Sequence, residues 1–285
     1  MIKIQNATLE DLQDIHDSGG KIEGLFKIDE RDYHAAPGLN SSLIKKAADS
    51  LADYRAEKYK DETKPQSYNK EAFITGSAFH KLVLEPDDFP KKYAKKPYDL
   101  DLRTTDGKKW KAENSDKDIL SELEWWQIHK MADSMHKNPV FNQFQTGKFY
   151  NELSAFWIDK LTGQQMKCRF DILHMERGIA DIKTSRDFVS ERNVRRSIYN
   201  YHYNIQAFHY IQGALNTLPD LYCSDFVFLF VEKTDAAKTA NYSLSANWLA
   251  NTAETYFELL ESIAHAEATM DFPGYPQTIK ELTDE

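Results

Sequence analysis

"RGIADIKTS", residues 177–185, carries the reading of the whole chain. Ile179, Ala180 and Ile182 give it the apolar run of a short buried strand, yet Asp181 and Lys183 interrupt that run. Side chains alternate along a strand, so Asp181 and Lys183 share one face while Ala180 and Ile182 share the other. Two opposite charges side by side at the margin of a core are either a plain ion pair, worth about 0–1 kcal/mol when exposed, or half of a reactive site. The rest of the chain decides which.

Two further strands precede this one: "YNELSAFWID" (150–159) and "QQMKCRFDILHM" (164–175), joined by turns at Leu161-Thr162-Gly163 and Glu176-Arg177-Gly178. Asp171 is read at the end of the second strand, ten residues before Asp181. Partners across an antiparallel hairpin approach to about 5 Å, which sets the two aspartates together at one end of a sheet. Like charges ~4 Å apart cost roughly 4 kcal/mol at an effective dielectric of 20, and a divalent cation between them removes that cost. Oxygen ligands of this kind suit Mg²⁺, with Mn²⁺ as a substitute, and the backbone carbonyl of Ile182 could add a ligand. Lys183 beside the ion would orient an attacking water and stabilise charge on a phosphate oxygen. Together these groups equip the chain for metal-assisted phosphodiester hydrolysis.

At 285 residues the chain is long enough for a substantial core, and no apolar run approaches the ~18 residues of a membrane span. Its amphipathic, acidic start has no signal-peptide core, so a cytoplasmic protein is expected. Cys168 and Cys223 are too few for an iron–sulfur cluster or a structural zinc, and read as small buried apolar residues. Residues 1–29 read as an N-terminal extension within an irregular opening segment over residues 1–40, with Pro37-Gly38 as punctuation. Residues 30–285 read as one domain.

Within that domain, helices are predicted at 39–59, 69–85 and 115–138, the last ended by Pro139. Then come the three strands, a helical region containing 201–215, the apolar strand "CSDFVFLFVEK" (223–233), a short strand near 241–245 and a C-terminal helix over 246–270. Stripped to its core the order is helix, three antiparallel strands, helix, strand: an α/β fold with a mixed central sheet flanked by helices.

The net charge of −9 does not exclude nucleic acid, because residues 251–285 hold eight acids against Lys280 alone. Exposed charges are screened over about 8 Å at physiological salt, so local patches matter more than the total. Residues 91–116, read as a basic loop, interleave lysines with Tyr93, Tyr98 and Trp110. Residues 186–203 carry Arg186, Arg192, Arg195 and Arg196 among tyrosines. Basic residues mixed with aromatics suit a phosphate backbone with bases nearby, although a solvated loop explains the first patch equally well.

Asp171 followed by Asp181-Ile182-Lys183 on a strand hairpin resembles the PD-(D/E)XK nuclease signature, and the element order resembles that superfamily's core. "GSAFH" (76–80) is similar to the helix motif of RecB-type nucleases whose histidine binds metal, and "QAFHY" (206–210) to their Q-x-x-x-Y motif. "YHAAPGLNSSLIKKAADS", "GSAFHKLVLEP" and "KCRFDILHMERGIADIKTSRD" together resemble the nuclease domain of exodeoxyribonuclease VIII (RecE) and its phage relatives, and "TSRDF" is also similar to phage lambda exonuclease. The resemblance spans about residues 30 to 270.

The resemblance implies His80, Asp171 and Asp181 as metal ligands, Lys183 as the catalytic lysine, and Gln206 with Tyr210 as positioning groups four apart on one helical face. Glu152 is a further acid near the site or an edge glutamate. Ser41 and Ser42 open the first helix where lambda-type exonucleases hold a 5′-phosphate; a simple helix cap explains them as well. Arg169 contacts the scissile strand or pairs with an acid, and Arg186, Arg195 and Arg196 are DNA-contact candidates. The remaining histidines, His34 among them, read as structural or surface.

The activity implied is a 5′→3′ exonuclease on linear duplex ends that releases 5′-phosphorylated nucleotides. The family further implies a ring trimer or tetramer and a single-strand annealing recombinase as partner. A restriction-like or structure-selective endonuclease of the same superfamily, and a non-catalytic DNA-end scaffold, remain open as alternatives.

Overall fold

The D-x-K strand occupies the middle of a seven-stranded mixed sheet. The structure, a computed structural model, describes residues 2–60, 70–218 and 225–279. In chain order its elements begin with β1 (Ile4–Asn6), α1 (Leu9–Asp17), β2 (Gly24–Lys27), α2 (Glu30–Ala35), α3 (Ser41–Asp49), α4 (Leu51–Lys58), α5 (Lys70–Leu84) and α6 (Phe89–Lys92). There follow β3 (Tyr93–Lys95), α7 (Thr105–Glu113), β4 (Asp118–Leu120), α8 (Glu122–His136), α9 (Pro139–Phe144), β5 (Phe149–Ile158), β6 (Gln165–His174) and β7 (Gly178–Ser185). The chain continues through α10 (Glu191–Asn200), α11 (Tyr203–Thr217), β8 (Phe226–Glu232), β9 (Thr239–Ser243) and α12 (Ala246–Thr269). The sheet order is β1-β2-β5-β6-β7-β8-β9.

Strands β5, β6 and β7 form an antiparallel meander, and β8 then joins β7 in parallel after the α10–α11 crossover. The turn from β6 to β7 requires glycine. Gly178 has φ +85° and a Cβ there would stand 2.3 Å from the Asp225 carbonyl oxygen. Strand β7 is buried on both sides, as a central strand with a parallel neighbour must be. Ile179 joins the core formed with α3, α10, α11 and α12, while Ala180 and Ile182 join the core formed with α5, α8 and α9. The sheet is therefore sandwiched between two helical layers.

Helix ends follow local chemistry. Asn40 caps α3 by accepting from the Leu43 N–H, Ser121 and Glu124 form a reciprocal capping box on α8, and Asn138 with Pro139 opens α9. On α5, Phe79 is fully buried in the second core. Losing a ring so placed costs about 3–5 kcal/mol, and this anchor fixes the orientation of the neighbouring His80.

Three expectations are corrected. The opening segment is not irregular: β1 pairs in parallel with β2, and β2 pairs antiparallel with β5, so residues 4–27 widen the central sheet. The basic stretch 91–116 is not a loop, because it holds β3 and α7, and β3 pairs with β4 beyond it. Many of its charges are spent locally, Lys91 on Asp88, Lys92 on Glu30, Lys95 on Glu122 and Arg103 on Asp101. Asp171 lies inside β6, which runs on to His174. Cys223 lies outside the described residues, whereas Cys168 is buried as expected. No helix among the described residues is long and apolar enough to cross a membrane.

Candidate active site

Strands β5 and β6 keep one register, with Asn151 opposite Ile172 and Leu153 opposite Phe170. The pair between these is Glu152 and Asp171. Glu152 adopts φ +53°, the left-handed region that residues bearing a Cβ avoid. The inside–outside alternation slips by one residue here. Leu153, Ala155 and Trp157 face the first core, and so does Tyr150; across the ladder Phe170 and Leu173 face that core while Ile172 faces the other. On the far side the β6–β7 register ends at Ile172–Ala180. One step further, Asp171 stands opposite Asp181, and its Oδ2 accepts the Ile182 N–H at 2.7 Å.

This kink opens a cleft of ≈ 370 Å³ whose walls include His80, Glu152, Asp171, Arg169 and Tyr210. His80 Nδ1, from α5, lies 3.5 Å from Asp171 Oδ2. Ligand atoms of His80, Glu152 and Asp171 all fall within 4.8 Å of one another. Asp181, expected as the third ligand, points instead to the α11 side. Its Oδ1 accepts from Gln206 Nε2 at 2.8 Å, and Lys183 Nζ stands 2.5 Å from its Oδ2. The reason is the alternation on β7, which sets Asp181 on the face of Ile179, toward α11, while the kink turns Asp171 toward α5. Ile182 enters the site through its N–H, which donates to Asp171, and stands in register with Leu229 in the β7–β8 ladder.

Charge balance at the cluster is strained. Burial, reinforced by the Asp181 charge, pushes the Asp171 carboxyl up to about 7. Burial also raises Glu152 despite Arg169 beside it, and lowers His80. Burial works against the Lys183 ammonium, yet Asp181 holds it above its ordinary value. Both carboxyls and the imidazole are thus driven toward their neutral forms, which a cation would reverse. Two carboxylates and an imidazole form a donor set fit for a divalent ion, and the buried Asp181 Oδ2, which makes no hydrogen bond of acceptable geometry, is a further acceptor close by.

The other candidates divide. Gln206 and Tyr210 reach the site as the four-residue spacing implied: Gln206 holds Asp181, and Tyr210 lines the cleft, its ring edge-on to Phe170. Arg169 is committed to Glu152 (2.5 Å) and to the Ile28 carbonyl (2.8 Å), so it is a partner of the acid and is not free for a phosphate. Ser41 is buried and Ser42 exposed at the start of α3, with Asn40 as the cap, and neither lines the cleft. Arg186 is exposed, Arg195 pairs with Glu191 and Arg196 with Asp187, all outside the cleft. Gly76 lines the cleft, but a Cβ there would meet only ordinary contacts, so close packing on the sheet does not require it. His34, read as structural or surface, is a cleft residue beside Glu30 and Tyr33. It lacked a signal because α2 itself was not predicted.

Residues 40–283 match the family described as a PDDEXK-like domain of unknown function (DUF3799). The chain belongs to that family. Its fold is accordingly a PDDEXK-like α/β fold, with the mixed sheet and flanking helices described above. Among solved structures, a crystal structure from Eubacterium rectale described as a "putative exonuclease" is similar at a TM-score of 0.59 and 14% identity, over 85% of this chain and 88% of that one. A second, SSO0001, aligns at a TM-score of 0.28 and 14% identity, over 69% of this chain and 89% of the other, and carries no argument. No curated protein matches the chain.

Proposed function

We propose that this PDDEXK-like chain is a Mg²⁺-dependent deoxyribonuclease, with Mn²⁺ able to substitute, that degrades linear duplex DNA 5′→3′ from its ends. It would release 5′-phosphorylated nucleotides and leave a 3′ single strand for recombination. The observation that carries the hydrolytic part is the joining of two sets of groups. His80, Glu152 and Asp171 form a cation-binding cluster, and the Ile182 N–H bond ties Asp171 to the strand bearing the Gln206–Asp181–Lys183 chain.

In this reading His80, Glu152 and Asp171 hold the ion, which when bound supplies Lewis acidity to the scissile phosphate and lowers the pKa of the attacking water. Lys183 orients that water for in-line attack and neutralises charge on the phosphate oxygen. Asp181 holds the ammonium in place, and Gln206 fixes the carboxylate. The bond between phosphorus and the terminal nucleotide's 3′-oxygen breaks, that oxygen takes a proton, and the phosphate stays on the 5′-oxygen of the next nucleotide; the nucleotide released keeps the 5′-phosphate it already carried. Polarity and the requirement for an end rest on the resemblance to RecE-type and lambda-type exonucleases. So do a ring trimer or tetramer, action in the cytoplasm and a single-strand annealing recombinase as partner.

Digestion of duplexes labelled at the 5′ or 3′ end, together with a covalently closed circle, with Mg²⁺ or EDTA, tests the proposal. Early loss of the 5′ label, an intact circle and full inhibition by EDTA are expected. Nicking of the circle would make the protein an endonuclease, and binding of ends without any digestion would make it a scaffold.

A further inference from the structure

Lys45 was not singled out by any motif, yet the fold brings it to the reactive strand. It sits on α3, in the helical layer opposite to the one that supplies His80. Its Nζ lies 5.5 Å from the centre of the Tyr203 ring, and Lys183 Nζ lies 4.8 Å from the same centre. Lys46, the next residue, has Asp49 at 3.8 Å, but Lys45 has no carboxylate within ion-pair distance among the described residues. Tyr203 likewise makes no hydrogen bond through its hydroxyl among the described residues. Burial, with a repulsion from Lys183 that exceeds the attraction of Asp181, brings the Lys45 ammonium down to about 8. A half-buried cation with no ion-pair partner, on which the repulsion of Lys183 outweighs the attraction of Asp181, is poorly compensated, so the arrangement favours an anion arriving from outside.

We propose that Lys45 and Tyr203 form a second phosphate subsite beside Lys183, taking a phosphate of the strand being cut that neighbours the scissile one. This deepens the nuclease reading and rests on it. The ring of Tyr203 spaces the two ammonium groups, so that each serves its own phosphate. The subsite accepts either a phosphate inside the strand or the phosphate at a 5′ end, whose chemistry is the same.

The test is equilibrium binding, in EDTA, of a short duplex carrying a 3′ fluorophore, in 5′-phosphorylated and 5′-hydroxyl forms, over a series of KCl concentrations. Lys45→Met should weaken binding about tenfold, and the slope of log K against log salt should fall by about 0.9, the signature of one lost phosphate contact. Lys45→Arg should keep the parent slope. Thermal unfolding of Lys45→Met should be no lower than that of the parent, because a half-buried charge with no ion-pair partner has been removed; Lys45→Gln serves if Met misfolds. A loss confined to the 5′-phosphorylated duplex assigns the subsite to the terminal phosphate, and an equal loss on both assigns it to an internal one. Unchanged affinity and slope in a parent that still digests DNA would overturn the subsite alone. A parent that neither binds nor digests duplex would overturn both the subsite and the nuclease reading.

Discussion

Glu152 and Asp171 face each other where β5 and β6 both slip their alternation, and Glu152 accepts a left-handed backbone to do so. A residue with a Cβ at φ +53° stores about 1–2 kcal/mol of strain. In a regular strand Gly is roughly 0.5–1 kcal/mol worse than Ala; here the order should reverse. Glu152→Ala and Glu152→Gly both remove the carboxylate and both leave Arg169 without its partner, so their difference isolates the backbone. Urea denaturation should show Glu152→Gly more stable than Glu152→Ala by about 1 kcal/mol, with both inactive. The opposite order would mean that the kink carries no strain.

The Asp171 carboxyl, raised to about 7 by burial and by Asp181, makes the metal-free protein sensitive to pH. Its folded value lies above the unfolded one, near 4, so the native state binds more protons in between. The resulting stability is complete below about pH 4 and is lost as pH rises through about 7. His80, lowered by burial, acts in the opposite sense below its ordinary value, so the comparison must isolate Asp171. Melting curves in EDTA should show Asp171→Asn overtaking the parent as pH rises from about 5 to 8. Mg²⁺ at pH 8 should raise the parent's midpoint and leave that of Asp171→Asn in place. Parallel curves for the two proteins would contradict this.

Gln206 donates to Asp181 Oδ1 at 2.8 Å from within the core. A hydrogen bond to a buried charged group is worth about 1.5–3 kcal/mol. If the bond sets the Asp181–Lys183 pair for the reaction, Gln206→Ala should lower kcat by roughly 10- to 100-fold with little change in KM. Gln206→Glu should be worse, because it sets two carboxylates against each other. Steady-state kinetics on a linear duplex would read this, and a change confined to KM would reassign Gln206 to substrate binding.

What could be read in the sequence was what obeys a period. Asp181 and Lys183 share a face because strands repeat every two residues, and Gln206 and Tyr210 because helices bring i and i+4 together. The sheet meander followed from turn residues, Gly178 above all. Glu152 could be read only as a possible acid near the site, since nothing local marks a glutamate that will adopt a left-handed backbone and slip the alternation of its strand. Asp181 reads as a ligand from its hairpin spacing and the resemblance; in the fold it meets Lys183 and Gln206. Strands β1 and β2, of three and four residues, are too short to show alternation, and they join the sheet through pairings, β2 antiparallel to β5 and β1 parallel to β2, that no tight turn announces. Lys45 and Lys167 were invisible for another reason: a lysine ordinarily points to water, and only the tertiary fold takes it away.

Lys167 shows what such a residue does for the cleft. It lies inside β6, 2% exposed, four residues before Asp171, and its ammonium donates to the carbonyls of Tyr33 (2.9 Å), His34 (3.1 Å) and Ala36 (2.5 Å). These carbonyls belong to the C-terminal end of α2, where unpaired acceptors and the helix dipole favour a cation. The bonds hold α2 so that Tyr33 and His34 form the cleft wall. Lys167→Met keeps the length of the side chain but strands two buried acceptors and one part-buried one, and should cost about 2–4 kcal/mol in denaturation. The loss should grow with pH. Burial brings Lys167 down to about 8, below its unfolded value near 10.5, so the unfolded parent holds more protons between the two and the parent gains stability as pH rises across that window. The methionine variant has no such gain. Denaturation of both proteins at about pH 7.5 and pH 10 should therefore show a wider gap at the higher pH, and KM for duplex DNA should rise in the variant as the cleft wall loosens. A gap that narrows with pH would mean that the ammonium, once buried, is held firmly enough by the three carbonyls to outweigh its desolvation.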